Sequence, residues 1–287
     1  VRSNISRGVA AMLNAERYIA FLLSTLPRLA ARRLYSPHWP FPMRRFAVLD
    51  RALRSFTRRP GVALEFGVYR GASLRRTAKR CHGRQVYGFD SFCGLPADGR
   101  PDWGIDFAVS KLPPVPSNCQ LMPGWFADTI PDFLQSTNDP VGFVNIDCDI
   151  YSSTREVLFG LADRLQPGAV LYFDELINYD TFLWNEMLAL FEFLEDTGFG
   201  IEWLAVHCRV REAEQVLAEL DTGRYPPWRE DVAAGYHRPA AALLTATNPD
   251  LRLLQTADPE KRIASLARDF ERQTQQFEER RQRPAAE

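Results

Sequence analysis

The stretch VGFVNIDCDIYSSTREVLFGLADRLQPGAVLYFDELINYD, residues 141–180, holds two buried-strand patterns that each run into acid. Gly142–Ile146 leads to Asp147 and Asp149, and Ala169–Phe173 leads to Asp174 and Glu175. Between them Ser153–Leu165 has the pattern of a helix. Strand, helix, strand predicts a right-handed crossover and two parallel strands. As neighbours they lie about 4.8 Å apart, and their acidic tips converge at one edge of the sheet. Ligands of open α/β sheets bind beyond the carboxyl ends of the strands. Carboxylates gathered there repel unless a cation or a proton separates them. The pattern therefore points to chemistry that uses a hard divalent metal.

A second acid-tipped pair lies upstream. GVALEFGVYRGASLRRTAKR begins with the apolar strand Val62–Phe66, which carries Glu65, then turns at Gly67 and Gly71 into a helix opened by Ser73. Glycines there let the backbone turn tightly and approach a ligand closely. RQVYGFDSFCGLP follows, a strand ending in Asp90, 23 residues after Gly67. An acid in that position can accept hydrogen bonds from both hydroxyls of a ribose. The loop spells Gly-x-x-x-Gly, without the third glycine of a dinucleotide fingerprint or the Gly-Lys-Ser/Thr of a phosphate loop. That favours a nucleoside without a pyrophosphate and argues against a Rossmann oxidoreductase.

LEFGVYRG, YGFDSFCGLP, PGWFADTIP, IDCDIYSST and FDE follow one another between Leu64 and Glu175. Together they resemble the TylF/MycF-type (macrocin) O-methyltransferases, over about 40% of the chain, residues 62–180. The resemblance implies a Rossmann-like class I methyltransferase fold of the α/β class. That fold has a mostly parallel seven-stranded sheet, helices on both faces and an antiparallel last strand. It also implies S-adenosylmethionine as methyl donor, Mg²⁺, and a sugar hydroxyl of a natural product or surface glycan as acceptor. By resemblance, Glu65, Gly67, Tyr69, Gly71 and Ser73 line the methionine part of the cofactor. Asp90 holds the ribose, and Ser91, Phe92, Gly124 and Trp125 lie near the adenine. Asp147, Asp174 and Glu175 match the metal positions. The family usually reads Asp-Gly-Asp and Asp-Asp there, whereas this chain reads Asp-Cys-Asp and Asp-Glu. Asp149 is open to three roles: a supporting group, a base, or a capping acid for the Ser153 helix. Ile150 stands where related catechol-type enzymes carry a lysine, so His38, His82, His207 and His237 are the alternative bases, with His38 and His237 preferred because both sit in segments that could border the pocket. A second reading, from another class, is a catalytically weak S-adenosylmethionine-binding module in assembly or regulation.

The 287 residues, 46% hydrophobic, suffice for one large α/β domain with extensions. The expected organisation is a basic helical extension over 1–60, a cofactor-binding domain over 61–250 and a helical tail over 251–287. The apolar runs are too short to span a membrane. Five scattered cysteines with no CxxC pairing suit a reducing compartment, so a cytoplasmic location is expected. Residues 1–60 hold 12 Arg against Glu16 and Asp50, a charge of +10, leaving −11 on the rest. The apolar stripe in 5–35 can cover the sheet, pack on an acidic neighbouring subunit in a homo-oligomer, or contact an anionic membrane peripherally. A structural role, covering the sheet or packing on a neighbouring subunit, is preferred over membrane contact, and no motif for nucleic acid accompanies the charge. Glu16 and Arg17 break the pattern of a secretory signal. Pro27 is expected to kink or end the first helix. Ser36–Pro42, Ala97–Ser117 and the excursion 210–238 are candidates for a linker, a lid and an acceptor-shaping insertion. Ile201–Cys208 and Ala240–Ala246 are expected to pair antiparallel.

Overall fold

The computed structural model describes residues 15–34, 46–96, 107–179, 182–207, 210–222 and 238–247. Two helices precede the sheet, α1 (Ala15–Ala30) and α2 (Ala47–Phe56). The strands are β1 (Val62–Phe66), β2 (Val86–Asp90), β3 (Cys119–Pro123), β4 (Val141–Ile146), β5 (Leu165–Phe173), β6 (Gly200–Val206) and β7 (Ala240–Thr245). Between them run α3 (Ala72–Arg80), α4 (Phe126–Ser136), α5 (Tyr151–Gly160), α6 (Glu186–Thr197) and α7 (Ala213–Thr222). The strands form one seven-stranded sheet in the order β3-β2-β1-β4-β5-β7-β6. β1 to β5 pair in parallel, and β7 runs antiparallel to both β5 and β6. The order reverses between β1 and β4, which opens the crevice that α/β sheets use for ligands.

Strand alternation separates two cores. Leu64, Phe66, Val144, Ile146, Leu171 and Phe173 face α1, α4, α5 and α6, with Leu22, Phe133 and Phe191 in the same cluster. Ala63, Phe143, Val170 and Tyr172 face α2 and α3, beside Leu53, Phe56 and Leu74. Glu65 and Asn145 share that second face, since each lies two residues on from a member of the cluster.

The apolar stripe of α1 is sheet cover. Tyr18, Ile19, Phe21, Leu22, Leu26 and Leu29 are all buried in the first core. Tyr18 donates to the carbonyl of Leu183 (2.5 Å) and Arg28 to that of Ile201 (2.7 Å), while Arg17 pairs with Glu195 (2.6 Å). Arg33 then bridges to Val206, with Leu34 N–H donating to the Val206 carbonyl (2.8 Å), so this segment covers the outer edge of β6. Pro27 does not end the helix, which continues to Ala30. One missing donor near the end costs one bond, and Leu26 and Leu29 keep the last turn anchored. No helix among the described residues is long and apolar enough to cross a membrane.

Two boundaries differ from expectation. α5 starts at Tyr151 and ends at Gly160, with a 3-10 turn at Ala162–Arg164 in place of its last turn. β5 starts at Leu165, because a register shift lets the chain pass Pro167 and Gly168 as an irregularity within the strand.

Candidate active site

The site is built at the carboxyl ends of β1, β2, β4 and β5. After β1 the chain turns at Gly67, with φ +90°, and a Cβ there would strike the carbonyl of Asp147. Only glycine fits that approach. Val68 and Tyr69 follow, Tyr69 at φ 49°, and α3 opens behind Gly71 in the left-handed region. Ser73 is the second residue of the helix, one later than the helix start. Asp90 fixes the loop. Its Oδ2 accepts from Val68 N–H (2.8 Å) and Tyr69 N–H (2.7 Å), and its Oδ1 accepts from Phe92 N–H (2.6 Å). Two charge-assisted bonds thus tie the tip of β2 to the glycine loop, and the third closes the turn after Asp90. The ring of Tyr69 meets Phe107 edge-on at 5.5 Å, with the Arg70 guanidinium 5.0 Å from its centre.

Glu65 lies beneath this loop, fully buried. It accepts from Ser73 Oγ (2.8 Å) on Oε1 and from Asn145 Nδ2 (2.8 Å) on Oε2. Burial pushes its pKa up to about 8, against the lowering effect of those bonds. In this structure Glu65 reaches no solvent and supports the loop and the start of α3 from below.

On the other side of Asp90, Gly124 at φ +140° donates its N–H to the Asp90 carbonyl (2.9 Å). Trp125, the residue before α4, is 46% exposed, one of two large hydrophobic side chains so open among the described residues. Ser91 Oγ donates to the Gly94 carbonyl (2.8 Å) and accepts from Cys93 N–H (3.1 Å), closing a turn. The Phe92 ring packs into the second core, so its backbone and not its ring meets Asp90.

Asp147 and Asp174 follow the register pair Ile146–Phe173 of adjacent parallel strands. Asp147 N–H donates to the Phe66 carbonyl (2.9 Å) and Asp174 N–H to the Ile146 carbonyl (3.0 Å), so β1, β4 and β5 end in step. Burial raises the pKa of Asp147 well above the carboxylate range, and Asp174, Asp149, Glu65 and Glu186 raise it further by repulsion. Tyr172 donates its hydroxyl to Asp174 Oδ1 (2.7 Å). Asp149 stands at φ 63°, a turn that takes it off the strand direction. The N-cap position of α5 falls to Ile150, and Asn185 Oδ1 accepts from Tyr151 N–H (3.3 Å).

The expected three-acid set is not assembled. Among the described residues no three His, Cys, Asp or Glu side chains gather closely enough to hold a metal ion. Glu175 is buried and its backbone bridges to Arg238. The pair Asp147 and Asp174 remains. Cys148 is buried, its Sγ 3.6 Å from Thr154 Oγ1. His38 and His237 lie outside the described residues. Sequence reasoning missed Asn145, Tyr172 and Glu186. The first two carry a signal, polar atoms in otherwise apolar strands, whereas Glu186 hides at the start of an aromatic-rich helix.

Residues 64–176 match the family model described as a methyltransferase domain. Over 141 residues the chain is 30% identical to 8-demethyl-8-(2,3-dimethoxy-alpha-L-rhamnosyl)-tetracenomycin-C 4'-O-methyltransferase of Streptomyces olivaceus, covering 40% of this chain and 53% of that protein. It is 28% identical to demethyldecarbamoylnovobiocin O-methyltransferase of Streptomyces niveus, with the same coverage. The chain thus spans about half the length of the curated relatives it matches. Among solved structures it is similar to CalS11, a calicheamicin methyltransferase, with a TM-score of 0.50 and 22% identity over 84% of this chain and 91% of that one. That likeness shows the fold, a mostly parallel seven-stranded sheet with helices on both faces.

Proposed function

We propose that this chain is an O-methyltransferase that moves a methyl group from S-adenosylmethionine to a sugar hydroxyl on a natural product, with Mg²⁺ held by Asp147 and Asp174. The names of the tetracenomycin and novobiocin relatives support the reaction, and the rhamnosyl group in the first name supports the acceptor class. The TylF/MycF resemblance supports the same choice. The observation that carries the reading is the contact between Gly67 and the Asp147 carbonyl. It sets the loop clamped by Asp90 directly against the acid pair, so a cofactor on one side faces an acceptor on the other.

Methyl transfer from a sulfonium is an in-line displacement whose electrophile the cofactor supplies. The protein must bind, align and exclude water. Asp90 keeps lone pairs for the ribose hydroxyls beside the three amides it already binds. Trp125 offers an exposed ring for the adenine, and the loop from Gly67 to Ser73 takes the methionine end. The acid pair suits a hard dication. Both donors are carboxylate oxygens, their mutual repulsion is relieved by positive charge, and Mg²⁺ is commonly bound through one or two carboxylates with water completing the shell. When bound, Mg²⁺ would orient the acceptor hydroxyl and lower its pKa. Asp149, His38 and His237 stay candidates for the base.

The test is mass spectrometry of products from a panel of rhamnosylated aglycones, incubated with S-adenosylmethionine and Mg²⁺, with and without EDTA. A gain of one methyl that EDTA abolishes and Mg²⁺ restores is expected. Methylation that survives EDTA would overturn the role of the metal, and methylation of a non-sugar position would overturn the acceptor class.

A further inference from the structure

Three polar side chains stand in one row across the face of the sheet that α2 and α3 cover. Glu65 on β1 is in register with Asn145 on β4, and Asn145 with Tyr172 on β5. All three are at most 1% exposed. The row sits one step behind the tips of the strands, and each end of it reaches forward. At the β1 end, Glu65 takes the Ser73 hydroxyl at the start of α3, and Asn145 holds the second carboxylate oxygen. At the β5 end, Tyr172 gives its hydroxyl to Asp174 Oδ1, two residues on along the same face.

We propose that Tyr172 is a positioning residue, whose buried hydroxyl fixes the carboxylate of Asp174 in the orientation that lets it share a cation with Asp147. The proposal rests on the reading of Asp174 as an ion-holding acid. A phenylalanine would fill the same space beside Phe143 and Val170, so the hydroxyl is the only chemistry that tyrosine adds there. A hydroxyl buried this deeply is costly unless bonded, and its bond goes to the acid at the strand tip. An aspartate at the end of a strand can otherwise rotate among staggered positions, and an ion that binds it must then select one. A donor fixed by a rigid ring beneath it removes that choice in advance. Burial and the neighbouring acids push the Tyr172 pKa well up, which keeps it in the neutral, donating form. Hydrogen bonds of this kind to metal-binding side chains are worth about 10–100-fold in metal affinity.

The experiment uses Mn²⁺ as probe, with S-adenosylhomocysteine present, on the full chain and on Tyr172→Phe, Asp174→Asn and the double variant. Mn²⁺ affinity is read by calorimetry, cofactor-product affinity by a separate titration, and folding by thermal melting. Tyr172→Phe should weaken Mn²⁺ binding about 10-fold, with S-adenosylhomocysteine affinity unchanged and melting near that of the parent. The double variant should bind Mn²⁺ no more weakly than Asp174→Asn alone, because Tyr172 acts through Asp174. Unchanged Mn²⁺ affinity in Tyr172→Phe, beside a clear loss in Asp174→Asn, would overturn the proposal and leave the reading of Asp174 standing. So would a double variant in which the two losses multiply, or a Tyr172→Phe that loses Mn²⁺, S-adenosylhomocysteine and thermal stability together. Mn²⁺ binding that is absent from the parent chain, or unaffected by Asp174→Asn, would overturn the reading of Asp174 and the proposal with it.

Discussion

Gly67 and Asp147 touch backbone to backbone: the space a Cβ would need on Gly67 is filled by the carbonyl of Asp147. The turn after β1 and the turn after β4 therefore move as one piece. Gly67→Ala must both leave a positive-φ conformation and push β4 away. We expect it to cost about 2–4 kcal/mol of stability and to weaken cofactor binding. Urea unfolding and calorimetry check this, and a fully stable Gly67→Ala would show that the contact yields easily.

Asp90→Ala removes an acceptor from three loop amides as well as the proposed ribose contact. The expected loss of S-adenosylmethionine affinity is about 2–4 kcal/mol. Asp90→Asn keeps one acceptor oxygen and should lose less. Calorimetry that finds both variants at parental affinity removes Asp90 from the cofactor site.

Glu65 gives a pH dependence with a definite sign. Its folded pKa of about 8 lies above its ordinary value of 4.5, so the folded chain binds the extra proton. The stability this contributes is fully present below about 4.5, falls as pH rises, and is lost above about 8. Glu65→Gln should flatten the curve of unfolding free energy against pH, and at pH 9 it should exceed the parent by on the order of a few kcal/mol. Denaturant midpoints from pH 5 to 9 measure it. A parallel pair of curves would mean that Glu65 ionises freely in the folded chain.

Asp147→Asn and Asp174→Asn should separate stability from activity. Each removes one partner of a repelling pair, so the metal-free variants should melt as high as the parent or a few degrees higher. Each should also lose several kcal/mol of transition-state stabilisation, with cofactor affinity largely kept. Glu175→Gln should be milder, because Glu175 is not gathered with the pair. Melting curves in EDTA and turnover in Mg²⁺ give the two readouts, and variants that fall in both would mark the acids as structural.

The burial of α1 sets the outcome of changing it. Leu22 is fully buried between α1 and the sheet, so Leu22→Ala should cost about 2–5 kcal/mol. Removing residues 1–35 strips that face of the first core and should prevent folding. Chemical denaturation of the point variant and the solubility of the truncated chain test this. A truncated chain that folds normally would return α1 to the role of a detachable arm.

The sheet and its acid tips were legible because strands buried on both faces read as short apolar runs, and the runs before Glu65, Asp90, Asp147 and Asp174 are of that kind. The antiparallel pairing of β6 and β7 was legible for the same reason. The row of Glu65, Asn145 and Tyr172 was not. Seeing it needs the register between strands about 80 and 27 residues apart, and local pattern carries no register across a parallel crossover. Asp90 was read as a ligand for ribose, while its grip on Val68 and Tyr69 depends on left-handed turns that spacing does not disclose. Glu175 was placed with the metal acids by the family resemblance, and the chain bends at Asp174 before the bridge that Glu175 makes to Arg238, which local pattern does not disclose.

The partners of α1 have a consequence for the order in which the chain can be completed. Tyr18 waits for Leu183 and Arg28 for Ile201, separations of 165 and 173 residues. On a ribosome adding about 5–20 residues per second, that interval is roughly 10–30 s. During it the greasy side of α1 has been synthesised and the helices and strand it packs against have not. Nascent chains crowded on one message would present that side to each other, which makes α1 the segment where a chaperone, a slower codon run or a lower growth temperature would most improve the yield of folded protein.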